Sequence, residues 1–171
     1  SFINDYTLAR AVWMTVLEVS LVLLAFLNLR LTNWKPGFLT GTFFFIFSLL
    51  SYHALRPLIN GNAVILIALG FTGAMLAYRS KFDELAAILM ALTTIKPQLS
   101  LLISIYMVLH AIFQKRWRFV IWFGGTMKIL ILISVLLLRD WMLQNLREII
   151  RYPGYNPPGT LQAALKIWFP A

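Results

Sequence analysis

The chain has 171 residues, of which 60% are hydrophobic and only 12% are charged. A soluble domain usually carries about 25% charged residues, so this composition excludes a soluble globular protein and indicates a polytopic α-helical membrane protein. The formal net charge of +9 arises in short basic clusters beside apolar segments, which is typical of membrane topology and lipid contact rather than of nucleic-acid binding. Cysteine is absent, which excludes disulfides, and the isolated His53 and His110 give no metal-ligand spacing.

The apolar stretches predict an all-α transmembrane bundle that forms a single domain over residues 1–171. Its predicted segments are spans at 8–29, 38–55 and 63–78, short paired arms at 85–95 and 97–113, a span at 119–138, and an interfacial tail at 140–171. A polar connection beginning at His53 and running through the 60–62 turn separates the second and third spans. The tail combines a predicted amphipathic helix with a Pro/Gly-rich loop. The first residue is serine, and we expect the chain to be a piece of a longer protein.

The segment 85–113 contains the most informative polar residues of the chain, Lys96-Pro97-Gln98, between two nearly unbroken apolar runs. A lysine at the centre of a bilayer costs roughly 2.5–3.5 kcal/mol on insertion scales. Proline removes a backbone donor and clashes with the preceding turn, so a helix breaks or kinks there. Irregular backbone at membrane depth is tolerated only where it faces protein or a water-filled cavity. The three residues therefore predict a polar break that holds a cationic group.

The length of segment 85–113 favours a hairpin over a single crossing. One continuous helix would span about 43 Å at 1.5 Å per residue, which exceeds a hydrocarbon core of roughly 30 Å. The segment is also too short for two full crossings. The hairpin places the basic loops around Arg79 and Lys115 on one side of the membrane, but a single crossing satisfies the charge bias equally well. Length and the proline are the reasons to expect that the chain turns back.

The order of several short motifs resembles the membrane glycosyltransferases of the GT-C class, and most closely glycosyltransferase family 87. The motifs are a glycine-plus-amide turn, a basic loop, a short Ala/Leu-rich helix, a Lys-Pro break and a basic Arg-Trp loop. In this chain they are Asn60-Gly61-Asn62, Arg79-Ser80-Lys81, 85–92, Lys96-Pro97-Gln98 and Lys115-Arg116-Trp117. The resemblance covers residues 56–123 well and the flanking regions loosely.

The resemblance implies transfer of a hexose, with mannose as the first candidate, from a polyprenyl-phosphate carrier to a lipid or glycan acceptor. The reaction takes place on the extracytoplasmic face, so the expected location is a bacterial cytoplasmic membrane and cell-envelope synthesis. The expected partners are the lipid bilayer, the lipid-linked donor and other membrane subunits. The family's catalytic carboxylate lies in a first extracytoplasmic loop. The only carboxylate that precedes the first span in this chain is that of Asp5. The catalytic residue is therefore unknown, and we expect its loop to lie outside this chain.

Seven polar residues are candidate substrate contacts: Lys96, Gln98, Arg56, His53, Asn62, Tyr152 and Asn156. Lysine is a strong point charge for a donor phosphate, although a lysine at a helix end also snorkels to lipid headgroups. Arg56 with His53 is a candidate second phosphate or sugar contact, or a headgroup anchor. Gln98 is a candidate site residue, or it satisfies backbone groups exposed by the proline.

The remaining candidates have weaker support from the sequence. Asn62 is the amide of the turn on which the resemblance rests. Tyr152 and Asn156 lie in the tail loop, where aromatic residues either stack on sugars or anchor at the membrane interface. A non-catalytic subunit that keeps a GT-C-like scaffold is the alternative to an enzyme. A transporter is a weaker third possibility, because no inverted repeat is visible.

Overall fold

The computed structural model of the chain describes residues 6–137, together with Gln144 and Arg147. Residues 6–137 form seven α-helices: α1 Tyr6–Thr32, α2 Phe38–Leu50, α3 Tyr52–Ile59, α4 Val64–Arg79, α5 Asp83–Thr93, α6 Pro97–Phe113 and α7 Trp117–Leu137. The chain divides into two compact units, Ser1–Met127 and Lys128–Ala171, and every contact below lies within the first. The single domain over residues 1–171 stays a prediction. Apart from Gln144 and Arg147, the predicted interfacial tail lies outside the described residues.

Within the part of the chain that the structure describes, three helical segments are long and apolar enough to cross a membrane: Tyr6–Thr32, Phe38–Ile59 and Trp117–Leu137. None of the residues of α2 is buried, although this helix consists mainly of phenylalanine, leucine and isoleucine. An apolar surface of this kind is stable against lipid and not against water. The predicted all-α polytopic transmembrane bundle is confirmed.

The second span differs from its prediction at its end. We expected the span 38–55 to give way to a polar connection that includes His53, but α3 continues as a helix to Ile59. The interruption lies earlier, at Ser51, whose extended backbone (φ −63°, ψ 149°) ends α2 and begins α3. Pro57 lies inside α3 and removes only the one hydrogen bond that its missing N–H would have donated. The loss of one hydrogen bond does not end α3, although the proline in the sequence indicated a break there.

Helices α1 and α4 run in the same direction and pack side by side. The Trp13 indole donates to the carbonyl of Gly61 at 2.8 Å, near the start of both helices. Farther along, the Thr72 hydroxyl lies 3.4 Å from the Asn28 side-chain oxygen. At the far end, the Arg79 guanidinium donates to the carbonyl of Leu31 at 2.9 Å. The start of α4 is therefore level with the second turn of α1, and both helices end among basic residues.

Helices α4 and α5 run antiparallel and approach closely at two glycines. A Cβ atom on Gly70 would lie 2.8 Å from Thr93 Cγ2, and one on Gly73 would lie 3.2 Å from Leu89 Cδ1. Thr93 is almost completely buried, and its hydroxyl donates to the carbonyl of Met90 at 2.6 Å. Small residues at these positions permit close packing, which places the last turn of α5 beside Gly70 in the second turn of α4.

The predicted broken hairpin is confirmed, because α6 returns to the level at which α5 begins. Asp83, the first residue of α5, forms an ion pair with Arg116, which follows α6. The Arg116 guanidinium also donates to the Tyr78 carbonyl at 2.8 Å and lies over the Tyr78 ring, 3.6 Å from its centroid. Partial burial alone lowers the pKa of Arg116, but the hydrogen bond and charge of Asp83 outweigh this effect and raise the pKa.

Aromatic contacts and small core residues complete the closed end of the hairpin. The Tyr78 hydroxyl and His110 Nδ1 are 3.0 Å apart, and the Phe119 ring packs edge-on against Tyr78 with centroids 5.3 Å apart. Alanine and methionine side chains from α4, α5 and α6 fill the space between them: Ala74, Ala77, Ala86, Ala87, Met90, Met107 and Ala111. The base of the hairpin is thus a packed cluster that holds α4, α5 and α6 together.

Replacing Gly70 with alanine should destabilise the fold by about 1–3 kcal/mol, because the new methyl group overlaps the hydrogen-bonded, buried Thr93 side chain. Gly124→Ala is the matched control, since a Cβ atom there meets nothing within 4 Å and alanine favours a helix. Unfolding of the purified protein in detergent measures both changes. Equal stability of the two variants would contradict the close packing of α4 and α5.

Asp83→Asn should destabilise the hairpin by about 1–3 kcal/mol, because it leaves the partly buried Arg116 charge without its counter-ion. Glu84→Gln is the control, since Glu84 faces Arg118 at 3.6 Å in an exposed pair and should lose less than about 1 kcal/mol. Both acids lie in the first turn of α5, so their interaction with the helix dipole is similar. Unfolding in detergent gives the comparison, and a larger loss in Glu84→Gln would overturn it.

Candidate functional site

The break between α5 and α6 satisfies its backbone groups locally and leaves Lys96 half-buried. Thr94 N–H and Thr94 Oγ1 both donate to the carbonyl of Ala91, at 3.1 Å and 2.6 Å. Lys96 has a non-helical backbone (φ −117°, ψ 85°) and occupies the N-cap position of α6, and Pro97 occupies the first helical turn. Proline is well suited there, because its missing N–H has no intrahelical acceptor and its φ is already helical. The proline therefore starts α6 and fixes the position of the preceding lysine.

The turn between α3 and α4 positions the side chain of Asn62. Gly61 adopts a left-handed conformation (φ +62°), which glycine reaches without steric cost. Asn62 N–H then donates to the carbonyl of Pro57 at 2.8 Å. Asn62 Oδ1 accepts from Val64 N–H at 3.1 Å and so satisfies one of the orphan donors at the start of α4. The side-chain amide is held in place by the backbone on both sides.

The structure joins these two polar elements through a direct hydrogen bond. Lys96 Nζ donates to Asn62 Oδ1, and both side chains are half-buried. The two ion pairs found among the described residues, Asp83–Arg116 and Glu84–Arg118, lie at the other end of α5. Within the described chain, the partner of Lys96 is thus a neutral amide and not a carboxylate. Its positive charge is positioned but not neutralised.

Helix ends of both signs lie around Lys96. The N-termini of α4 and α6 each carry roughly half a positive charge from their unsatisfied N–H groups, and the C-termini of α3 and α5 each carry roughly half a negative charge. These four ends largely offset one another, so the ammonium group of Lys96 is the charge that favours an anion here.

The level of this site follows from helix lengths. With 16 residues, α4 is about 24 Å long, and α6 with 17 residues is about 26 Å long. The Lys96–Asn62 contact therefore lies close to 25 Å from the basic loops at the other end, near the opposite boundary of a hydrocarbon core of roughly 30 Å. A lysine at this boundary costs much less than one at the bilayer centre.

Trp13 supports the site, and sequence reasoning did not identify it. Its indole N–H donates to the Gly61 carbonyl at 2.8 Å, and its ring lies 3.4 Å from the position of a Cβ atom on Gly61. This contact ties α1 to the turn that carries Asn62. The available signal in the sequence was a tryptophan inside an apolar span, because an indole N–H that is kept from water by lipid needs a protein acceptor. The sequence did not indicate where that acceptor lies.

The structure does not bring the other candidate residues into contact with Lys96. Arg56 is exposed on α3 and donates to the Tyr52 hydroxyl at 2.7 Å, while His53 packs edge-on against the Tyr52 ring. Gln98 is exposed in the first turn of α6 and has no hydrogen-bond partner among the described residues. The predicted contacts Tyr152 and Asn156 lie outside the described residues. The roles assigned to all seven candidates stay predictions.

Comparison of the sequence with known families gives one match. The model of glycosyltransferase family 87 matches residues 2–160. The chain belongs to glycosyltransferase family 87. This family 87 chain is thus an integral membrane protein of a glycosyltransferase family, and the match includes Asn62, Lys96 and both basic loops. No curated protein and no solved structure matches it.

Asn62→Ala should lower the stability of this family 87 chain by about 1–2 kcal/mol, because Val64 N–H and the Lys96 ammonium both lose their acceptor. Asn60→Ala is the control, since the exposed Asn60 contributes only its backbone N–H to the end of α3. Thermal unfolding in detergent measures the difference. A larger effect at Asn60 than at Asn62 would show that the Asn62 amide does not organise the turn.

Proposed function

We propose that this chain takes part in the transfer of a hexose from a polyprenyl-phosphate carrier to a lipid or glycan acceptor. Mannose is the first candidate for the hexose, and the extracytoplasmic face of a bacterial cytoplasmic membrane is the expected location. Membership of glycosyltransferase family 87 supports the reaction class. The donor, the sugar, the acceptor and the membrane face are all part of the proposal.

The observation that carries the proposal is the contact between Lys96 and a neutral amide. An ammonium group paired with a carboxylate would have little affinity left for a second anion. An ammonium group held by an amide keeps its full charge while its position is restricted. A phosphate that arrives from the bilayer on an isoprenoid chain would meet this charge near the membrane boundary. Charge-assisted hydrogen bonds to phosphate are about twice as strong as neutral ones.

The reaction explains why a fixed cation is useful there. The acceptor hydroxyl attacks the anomeric carbon, the bond between that carbon and the phosphate oxygen breaks, and the phosphate leaves with additional negative charge. Lys96 would stabilise that charge as it develops, which is usually a large contribution to catalysis. A carboxylate would act as general base and take the hydroxyl proton. Of the three described carboxylates, Asp83 and Glu84 are paired with arginines at the far end, and Glu18 lies exposed near the middle of α1. The proposal therefore assigns the base to another part of the protein.

The charge state of Lys96 can be changed in two independent ways. Lys96→Gln removes the cation, and Asn62→Asp keeps an oxygen acceptor at the same place while it neutralises the cation in an ion pair. Binding of polyprenyl phosphate to the complete purified protein, and transfer of labelled mannose from the corresponding donor, are the two measurements. We expect both variants to weaken binding by about tenfold and to reduce transfer by about 100-fold or more.

Arg10→Gln is the matched control for this experiment. Arg10 is an exposed cation that lies about one turn before Trp13 on α1, at the same end as Lys96, and its removal should leave binding and transfer within about twofold. Wild-type binding in Asn62→Asp would contradict the role of an uncompensated ammonium group. Binding without transfer in the parent protein would instead favour the alternative function, a non-catalytic membrane subunit that retains a donor-like site.

A further inference from the structure

Four helix ends in the described chain share one backbone motif, and the residue in its left-handed position is a lysine at two of them. In each case a residue with positive φ follows the helix, and the next N–H donates to the carbonyl five residues earlier. The residues with positive φ are Asn33 (+53°), Gly61 (+62°), Lys81 (+62°) and Lys115 (+56°). The corresponding hydrogen bonds join Trp34 to Leu29, Asn62 to Pro57, Phe82 to Ala77 and Arg116 to Ala111, at 2.8–3.1 Å.

Glycine and asparagine are the residues that usually occupy this position, because other side chains are crowded in the left-handed conformation. Gly61 and Asn33 follow this rule, and Lys81 and Lys115 do not. Both lysines are exposed, so packing does not explain them. The orientation of the protein in the membrane depends on the number of positive charges in a loop. It does not require that these charges lie at the left-handed positions of the loop. The residue type at these two positions therefore needs a separate reason.

The two lysines belong to a single structure at the basic end. Lys81 lies between α4 and α5, and Lys115 lies between α6 and α7. Arg116 ties the two loops together, because it donates to the Tyr78 carbonyl at 2.8 Å and forms an ion pair with Asp83. Lys81 and Lys115 are thus presented by two adjacent loops with a fixed connection, whereas Lys35 lies in a separate loop after α1.

Among the described residues, neither lysine forms an ion pair with an acid. Asp83 and Glu84 are the described acids nearest to them, and Arg116 and Arg118 pair with both. The C-termini of α4 and α6 carry partial negative charge, which offsets part of the positive potential. The charges of Arg79, Lys81 and Lys115 still exceed that partial negative charge.

We propose that Lys81 and Lys115 form a binding site for the headgroup of an anionic phospholipid such as phosphatidylglycerol. This site lies at the opposite end of the hairpin from Lys96 and is independent of the proposed transfer reaction. The ammonium groups of Lys81 and Lys115 lie on two loops that Arg116 connects, and together they would attract the phosphodiester of one lipid. Nearby basic residues add to this attraction. The left-handed backbone places both lysines at the turns, where a headgroup is accessible.

Glycine substitutions test this site without damaging the backbone. Lys81→Gly with Lys115→Gly removes both charges and supplies the residue that the left-handed conformation favours. The complete protein is purified in a neutral detergent and titrated with phosphatidylglycerol and, separately, with zwitterionic phosphatidylcholine. Bound lipid is counted by native mass spectrometry, and thermal unfolding is followed in the absence of added lipid.

We expect the double glycine variant to lose about tenfold or more in phosphatidylglycerol affinity, since each lysine near an anionic headgroup contributes about fivefold. Its stability without lipid should equal or exceed that of the parent. The control is Arg30→Gln with Lys35→Gln, which removes the same charge at the same end from the loop after α1, and which should change the affinity by about twofold at most.

Three outcomes would overturn the proposal. Equal losses of affinity in the two double variants would show a diffuse charge effect. Unchanged affinity in the glycine variant would show that the lysines bind no lipid. Lower stability of the glycine variant with unchanged lipid affinity would show that the lysines only compensate the helix dipoles.

Discussion

The arrangement of this chain depends on how one lysine is accommodated in a largely apolar sequence. Lys96 lies between two apolar helices, and its charge must reach a polar environment or a partner. The fold ends α5 early, starts α6 at a proline and places the ammonium group against the amide of Asn62. A carboxylate in that position would have stabilised the lysine more strongly and would have cancelled its charge. The choice of an amide keeps the cation available to an anionic ligand.

The rest of the first unit can be understood as support for that contact. The glycines of α4 allow α5 to pack closely, which sets the level of Lys96 relative to Asn62. Trp13 ties the turn before α4 to α1. At the other end, Arg116 fixes the base of the hairpin through Asp83 and Tyr78. The two ends therefore differ in how their charges are paired. At the basic end Asp83 and Glu84 form ion pairs with arginines, whereas Lys96 contacts a neutral side chain.

Much of this fold could be predicted from the sequence because apolar length and proline are strong local signals. The helical membrane class and the break at Lys96-Pro97 follow from them directly, and so does the hairpin, since a continuous helix would be too long. The end of α2 at Ser51 was not predicted, because the proline and the polar residues of α3 indicated a later interruption. A short helix with one missing hydrogen bond has no clear sequence signature.

The candidate site was predictable only in its parts. Asn62 and Lys96 were each identified, one from a glycine-amide turn and one from a charge in an apolar run. Their contact depends on the antiparallel packing of α4 and α5, which two glycines of α4 make possible. The hydrophobic periodicity of the sequence does not indicate this packing. The Trp13 contact and the cluster of Tyr78, His110 and Arg116 are long-range for the same reason. Local patterns indicate which residues need partners, and tertiary packing determines which partners they find.

The most direct test of this account is an experimental structure of the complete protein with polyprenyl phosphate bound. The account predicts that a phosphate oxygen lies within hydrogen-bond distance of Lys96 Nζ, with Asn62 still in contact with the same ammonium group. A phosphate bound elsewhere, or a carboxylate paired with Lys96 in the ligand-free protein, would contradict the central claim.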